Sequence, residues 1–101
     1  MSYEASKIRL VMDLRRQGIH DNRVLAAMER VPRELFVPDA FSAEAYSNIP
    51  LPISQGQTIS QPFVVAYMTQ ELHLDDRSIV LEIGTGSGYQ AAVLSHLCRR
   101  V

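Results

Sequence analysis

The stretch VLEIGTGSGYQ, residues 80–90, constrains this chain more than any other. A short β-branched run, SIVLEIG, leads into Gly84-x-Gly86-x-Gly88, and the helical pattern YQAAVLSHLCRR follows. That order predicts strand, glycine loop and helix. In that arrangement backbone N–H groups at the helix start face a ligand, and the glycines permit its close approach. Ile79, Val80, Leu81 and Ile83 are apolar on both faces, the pattern of an interior parallel strand covered on each side. Such a strand needs neighbours, and the sequence offers no second clear one. The expected fold class is α/β with an incomplete sheet. Val101 falls where the next strand is due, so the chain reads as the front part of a larger protein.

Upstream of the strand the pattern is helical and then irregular. Residues 4–17 predict a helix with Ile8, Leu10, Val11, Met12 and Leu14 on a broad apolar face, terminated by Gly18. Asp21 is placed to cap a second helix, NRVLAAMERV, which Pro32 stops. All five prolines lie between residues 32 and 62, and NIPLPISQGQTIS is barred from long helix by Pro50 and Pro52. A long connection of this kind, not especially polar, is usually functional. An edge segment lying on a sheet describes it equally well. A third helix, QPFVVAYMTQEL, carries a stripe of Val64, Met68 and Leu72, with Pro62 in its first turn. The helix after the glycine loop is expected to bury Ala91, Leu94 and Cys98.

Composition excludes several classes of function. The 101 residues carry a net charge of −1, and no basic cluster exceeds the pairs Arg15-Arg16 and Arg99-Arg100, which argues against a nucleic-acid partner. No apolar run reaches the roughly 18 residues of a membrane span. The start, MSYEASKIRL, lacks a secretory pattern, and the single cysteine, Cys98, permits no internal disulfide, so a cytoplasmic setting is expected. His20, His73 and His96 show no ligand spacing, and no metal is expected. Asp75-Asp76 reads as a solvated turn and Cys98 as a small core residue.

The glycine spacing separates the candidate ligands. A phosphate-cradling P-loop and a dinucleotide fingerprint each require a glycine five residues past the first, where Tyr89 stands. Here the glycines fall at i, i+2 and i+4, and Glu82 stands two residues before the first. A carboxylate there suits a cofactor with a cationic ammonium and repels a pyrophosphate. The pattern resembles the first motif of the class I S-adenosylmethionine-dependent methyltransferases.

Two further segments narrow the resemblance. AMERVPRELFVP (27–38) and QTISQPFVVAYM (57–68), followed by the glycine loop, resemble the bacterial protein-L-isoaspartate O-methyltransferase family across essentially the whole chain, as the N-terminal half of such an enzyme. The resemblance implies a helical cap and substrate loop over residues 1–78, and the start of a Rossmann-like cofactor domain over 79–101. It implies methyl transfer from S-adenosyl-L-methionine to the α-carboxylate of L-isoaspartyl residues in damaged proteins and peptides, with Ser60 as the active-site residue. The cofactor contacts expected from it are Gln57, Thr58, Ile59, Glu82, Gly84, Thr85, Gly86, Ser87 and Gly88.

The chemistry is consistent with these residue types. A free carboxylate has a pKa of about 4 and is already an ionised nucleophile at neutral pH. The reaction needs alignment and exclusion of water more than a general base. A neutral hydroxyl on Ser60 can hold one carboxylate oxygen without quenching the other. Ser60 also precedes Gln61-Pro62 at a helix start, where serine is a favoured N-cap, and both roles stay open. Thr58 is open between turn former and cofactor contact, and Tyr89 between packing on the cofactor and covering the loop. Arg33 and Phe36 are expected to fix the cap segment.

Other readings are a class I methyltransferase of small molecules and a non-catalytic helical interaction module with a vestigial loop. A nicotinamide oxidoreductase is disfavoured by the glycine spacing and Glu82. The acidic ribose-binding residue of related folds lies roughly 20 residues past the loop. The 101-residue chain alone is therefore expected to bind cofactor weakly and to be inactive. Its oligomeric state is not legible.

Overall fold

A computed structural model of the chain describes residues 3–101. Helix α1 spans Tyr3–Arg16 and α2 spans Asn22–Arg30. Between them Gly18 takes φ +105°, and the Ile19 N–H reaches back to the Leu14 carbonyl at 3.0 Å, closing α1 as a left-handed cap. Asp21 caps α2 as expected, its side chain accepting from the Arg23 N–H at 2.9 Å. The turn is also held from a distance. Gln70 Oε1 accepts the His20 and Asp21 N–H groups at 2.9 and 3.0 Å.

The proline-rich connection folds into short turns and one hairpin. Two 3₁₀ turns, Arg33–Phe36 and Asp39–Glu44, are followed by strands β1 (Leu51–Pro52) and β2 (Thr58–Ile59). The strands pair antiparallel, Leu51 opposite Ile59 and Pro52 opposite Thr58. Helix α3 (Pro62–Glu71) comes next and α4 (Tyr89–Ser95) lies after the glycine loop. Helix α2 packs against α1, α3 and α4. The core gathers Leu14, Leu25, Met28, Val65, Tyr89 and Val93 from all four helices, with Ile59 from the hairpin.

Four expectations need correction. The run 79–83 does not form a ladder. It makes one parallel bridge, Ile79 to Arg100, with the Val80 N–H on the Arg100 carbonyl at 2.9 Å. No other strand among the described residues lies beside it, so Leu81 and Ile83 remain 83% and 87% exposed. Helix α4 ends at Ser95 because the chain must leave it to reach that bridge. Its buried residues are Tyr89, Val93 and Leu94, while Ala91 and Cys98 are half-buried. In α3 the core face is Pro62, Val65, Ala66, Thr69 and Gln70, and the Val64–Met68–Leu72 stripe points away from it. In α1 only Leu10 and Leu14 are buried; Ile8 and Met12 are exposed. No helix among the described residues is long and apolar enough to cross a membrane.

Candidate active site

Three segments meet at one cavity of about 430 Å³. The hairpin's second strand and the residue after it bring Thr58, Ile59 and Ser60 to it, α3 and its C-cap bring Val64, Met68 and Leu72, and the glycine loop brings Glu82 through Ser87. The apolar stripe of α3 is therefore a cavity wall. Periodicity identifies such a stripe but cannot say whether core or cavity receives it.

In the loop, Gly84, Gly86 and Gly88 take φ of +75°, +60° and +88°, a region that side chains with a Cβ rarely adopt. Gly88 opens α4 from this left-handed conformation, while the Ser87 hydroxyl accepts the Tyr89 N–H at 3.1 Å. Gln57 and Gly88 lie outside the cavity lining. Gln57 stands against the loop from the hairpin side, its Oε1 4.0 Å from where a Cβ on Gly86 would sit. Ile59 lines the cavity while its side chain is buried in the core.

Glu82 tests what the cavity can hold. Its Oε1 is shut off from solvent and has no hydrogen-bond partner. A desolvated acceptor without a donor is costly, and a ligand carrying an ammonium or hydroxyl would satisfy it. The methionine ammonium of S-adenosylmethionine fits that requirement. Among the described residues no group of three or more His, Cys, Asp or Glu side chains is placed to hold a metal ion.

Ser60 is exposed, and its hydroxyl has no partner among the described residues. Of the two roles left open for it, the N-cap role does not materialise. The cap position of α3 is Gln61, without a side-chain cap bond, and the Phe63 N–H is taken by Asn48 Oδ1 at 3.0 Å. Asn48 lies 15 residues upstream, beyond the range of local cap signals.

Behind Ser60 lies Arg33, fully buried at 0% exposure. Its Nε donates to the Ala45 carbonyl at 2.8 Å and its Nη2 to the Ser60 carbonyl at 2.9 Å. The guanidinium carbon sits 4.7 Å over the centre of the Tyr89 ring. Burial lowers the Arg33 pKa, partly offset by Tyr89 and Tyr46. Burial raises that of Tyr89, with Arg33 opposing. Phe36 meets the same ring edge-on at 5.6 Å. Tyr89, 1% exposed, thus serves mainly to anchor the loop from beneath. Arg33 and Phe36 do fix this segment, but the bond from Arg33 to Ser60 had no sequence signal.

A strand-like run with a carboxylate ahead of three alternating glycines, turning into a helix, is the cofactor-loop arrangement of the S-adenosylmethionine-dependent methyltransferase class. Comparison with known proteins narrows this. The chain belongs to the protein-L-isoaspartate(D-aspartate) O-methyltransferase (PCMT) family, which it matches over residues 5–101. A protein-L-isoaspartate O-methyltransferase of Parvibaculum lavamentivorans is 65% identical over 98 residues, covering 97% of this chain and 44% of the relative. Another from Rhodospirillum rubrum is 63% identical over 101 residues, covering 100% and 46%. The chain therefore spans less than half the length of these curated relatives. A solved protein-L-isoaspartate O-methyltransferase superposes with a TM-score of 0.78 at 32% identity, over 90% of this chain and 30% of that one. A Plasmodium falciparum structure described as a β-aspartate methyltransferase, in complex with S-adenosyl-L-homocysteine, gives 0.73 at 31%, over 86% and 39%.

Proposed function

We propose that this chain supplies the substrate loop and cofactor loop of an enzyme that methylates the α-carboxylate of L-isoaspartyl residues in damaged proteins. Residues 1–78 act as cap and substrate loop, and 79–101 begin the cofactor domain. S-adenosyl-L-methionine, when bound, supplies the methyl group as a sulfonium. Glu82, Gly84, Thr85, Gly86 and Ser87 hold it, with Thr58 and Ile59 on the facing wall, and Gln57 and Gly88 support the loop.

Ser60 donates its hydroxyl to one oxygen of the substrate carboxylate and leaves the other aimed at the cofactor. An ionised carboxylate needs no base, so holding it in line is the main contribution asked of the chain. Val64, Met68 and Leu72 keep water from the line of transfer. A cytoplasmic setting belongs to the reading, and the unpaired thiol of Cys98 is compatible with it.

The observation that carries this is that Ser60, whose hydroxyl is unpartnered, and Glu82, whose Oε1 is orphaned, line one and the same cavity. The test joins this chain to the remaining portion of the Rhodospirillum rubrum relative. The chimera is assayed for methyl ester formation on an isoaspartyl peptide and on its aspartyl counterpart. Transfer to the isoaspartyl peptide alone is expected. Cofactor binding without transfer to either peptide would favour a small-molecule methyltransferase. No cofactor binding would favour the non-catalytic module.

A further inference from the structure

We infer that Arg33 is a positioning residue for methyl transfer: one buried guanidinium sets the Ser60 backbone against the root of the glycine loop. This rests on the reading of Ser60 given above. Arg33 makes no ion pair among the described residues, where the only pairs are Arg16–Asp13 and Arg23–Asp76. A buried, unpaired cation is expensive, and an apolar side chain of similar size would fill the space at less cost. Its contacts indicate what the cation accomplishes.

The Nη2 bond fixes the carbonyl of Ser60, a residue that lines the cavity. The guanidinium carbon lies over the ring of Tyr89, the first residue of α4 after Gly88. The Nε bond ties both to Ala45, and the Arg33 N–H itself donates to the Tyr46 hydroxyl at 3.0 Å. Substrate wall and cofactor loop, 29 positions apart from Ser60 to Tyr89, thus share one rigid planar group. Nη1 stays buried and unpartnered, so the group is not held merely to satisfy its own donors. A planar fork can stack and bond two carbonyls together, whereas a lysine offers one point of contact.

The test is a double-mutant cycle of Arg33→Met and Ser60→Ala in the same chimera. Rates are normalised to the number of S-adenosylhomocysteine-binding sites, so that loss of folded protein does not register. Arg33→Met is expected to lower kcat on the isoaspartyl peptide by up to about 100-fold, the cost of an ångström-scale misplacement. The dissociation constant for S-adenosylhomocysteine should stay within about threefold. In the Ser60→Ala background the same change should cost little more, since its effect runs through Ser60. Equal losses in both backgrounds, or an unchanged kcat in Arg33→Met, would overturn the inference. If Arg33→Met does not accumulate as folded protein, Arg33→Lys is taken through the same cycle with the same expectations at smaller amplitude. An unmodified chimera that leaves isoaspartyl peptides untouched would instead sink the functional reading, and this inference with it.

Discussion

Glu82 keeps Oε1 out of solvent without a donor, a desolvation cost of about 1–3 kcal/mol that a bound ammonium or hydroxyl would recover. Glu82→Gln keeps the size and removes the charge. Hydrogen bonds to charged groups contribute about 1.5–3 kcal/mol, so affinity of the chimera for S-adenosylhomocysteine should fall at least about tenfold by titration calorimetry. Ligand-free thermal stability should hold or rise slightly, because no protein partner is lost. Unchanged affinity would remove Glu82 from the site. Tyr46 supports a different prediction. Burial, then its hydrogen bond to Glu34, raises its pKa above the ordinary phenol value. Its contribution is fully present below the unfolded pKa of about 10 and is lost as pH rises toward the folded value. Stability measured by denaturant should therefore decline above about pH 10. Tyr46→Phe should cost about 1–2 kcal/mol at neutral pH and make that alkaline decline shallower. A decline of the same steepness in Tyr46→Phe would assign it to other groups.

At the level of elements, the start of α3 is where local signals and the tertiary structure disagree. Ser60 stands where a serine cap belongs, yet Asn48 takes the Phe63 N–H and also reaches Gln17 at 3.1 Å. Asn48→Ala should destabilise the protein by about 1 kcal/mol in denaturant titration, the usual cost of losing a cap. Ser60→Ala should cost less than about 0.5 kcal/mol, as an exposed substitution does. The reverse order would return Ser60 to a structural role. The same contrast marks what the sequence made legible. Helices α1 to α3 were readable because their stops are local: Gly18, Asp21, Pro32 and Pro62 act through their own backbone. The β1–β2 hairpin was not, since its pairing has no Asn-Gly type turn and rests on Gln55 and Gly56 at positive φ. Gln70 capping the α1–α2 turn and Arg33 holding Ser60 depend on residues 50 and 27 positions apart, which no local pattern encodes. The tight turn of the glycine loop was legible, because three glycines at alternate positions mark backbone at positive φ, which all three adopt.

For the whole molecule, the decisive feature is the apolar surface around the cavity. Met68, Leu72, Leu81 and Ile83 are all more than half exposed, and all line the same opening. Monomeric proteins rarely leave large contiguous apolar patches in water. The run 79–83 adds an unpaired edge, since its pairing is limited to the one bridge to Arg100. In relatives more than twice as long, there is chain enough to cover such a face. The 101-residue chain on its own should therefore self-associate as concentration rises, seen as a growing sedimentation coefficient in ultracentrifugation. Replacing Leu81 and Ile83 together, by Glu and Lys, should restore a monomer without unfolding the helices, because neither side chain joins the core. The chimera should be monomeric with the native residues in place, and there the same double substitution should destabilise the fold by several kcal/mol, as burying unpaired charges does. Charges that rescue the short chain and cripple the long one would identify this face as a surface meant to be covered. A short chain that stays monomeric at every concentration, melting in one sharp transition, would mean that the patch is tolerated as it stands.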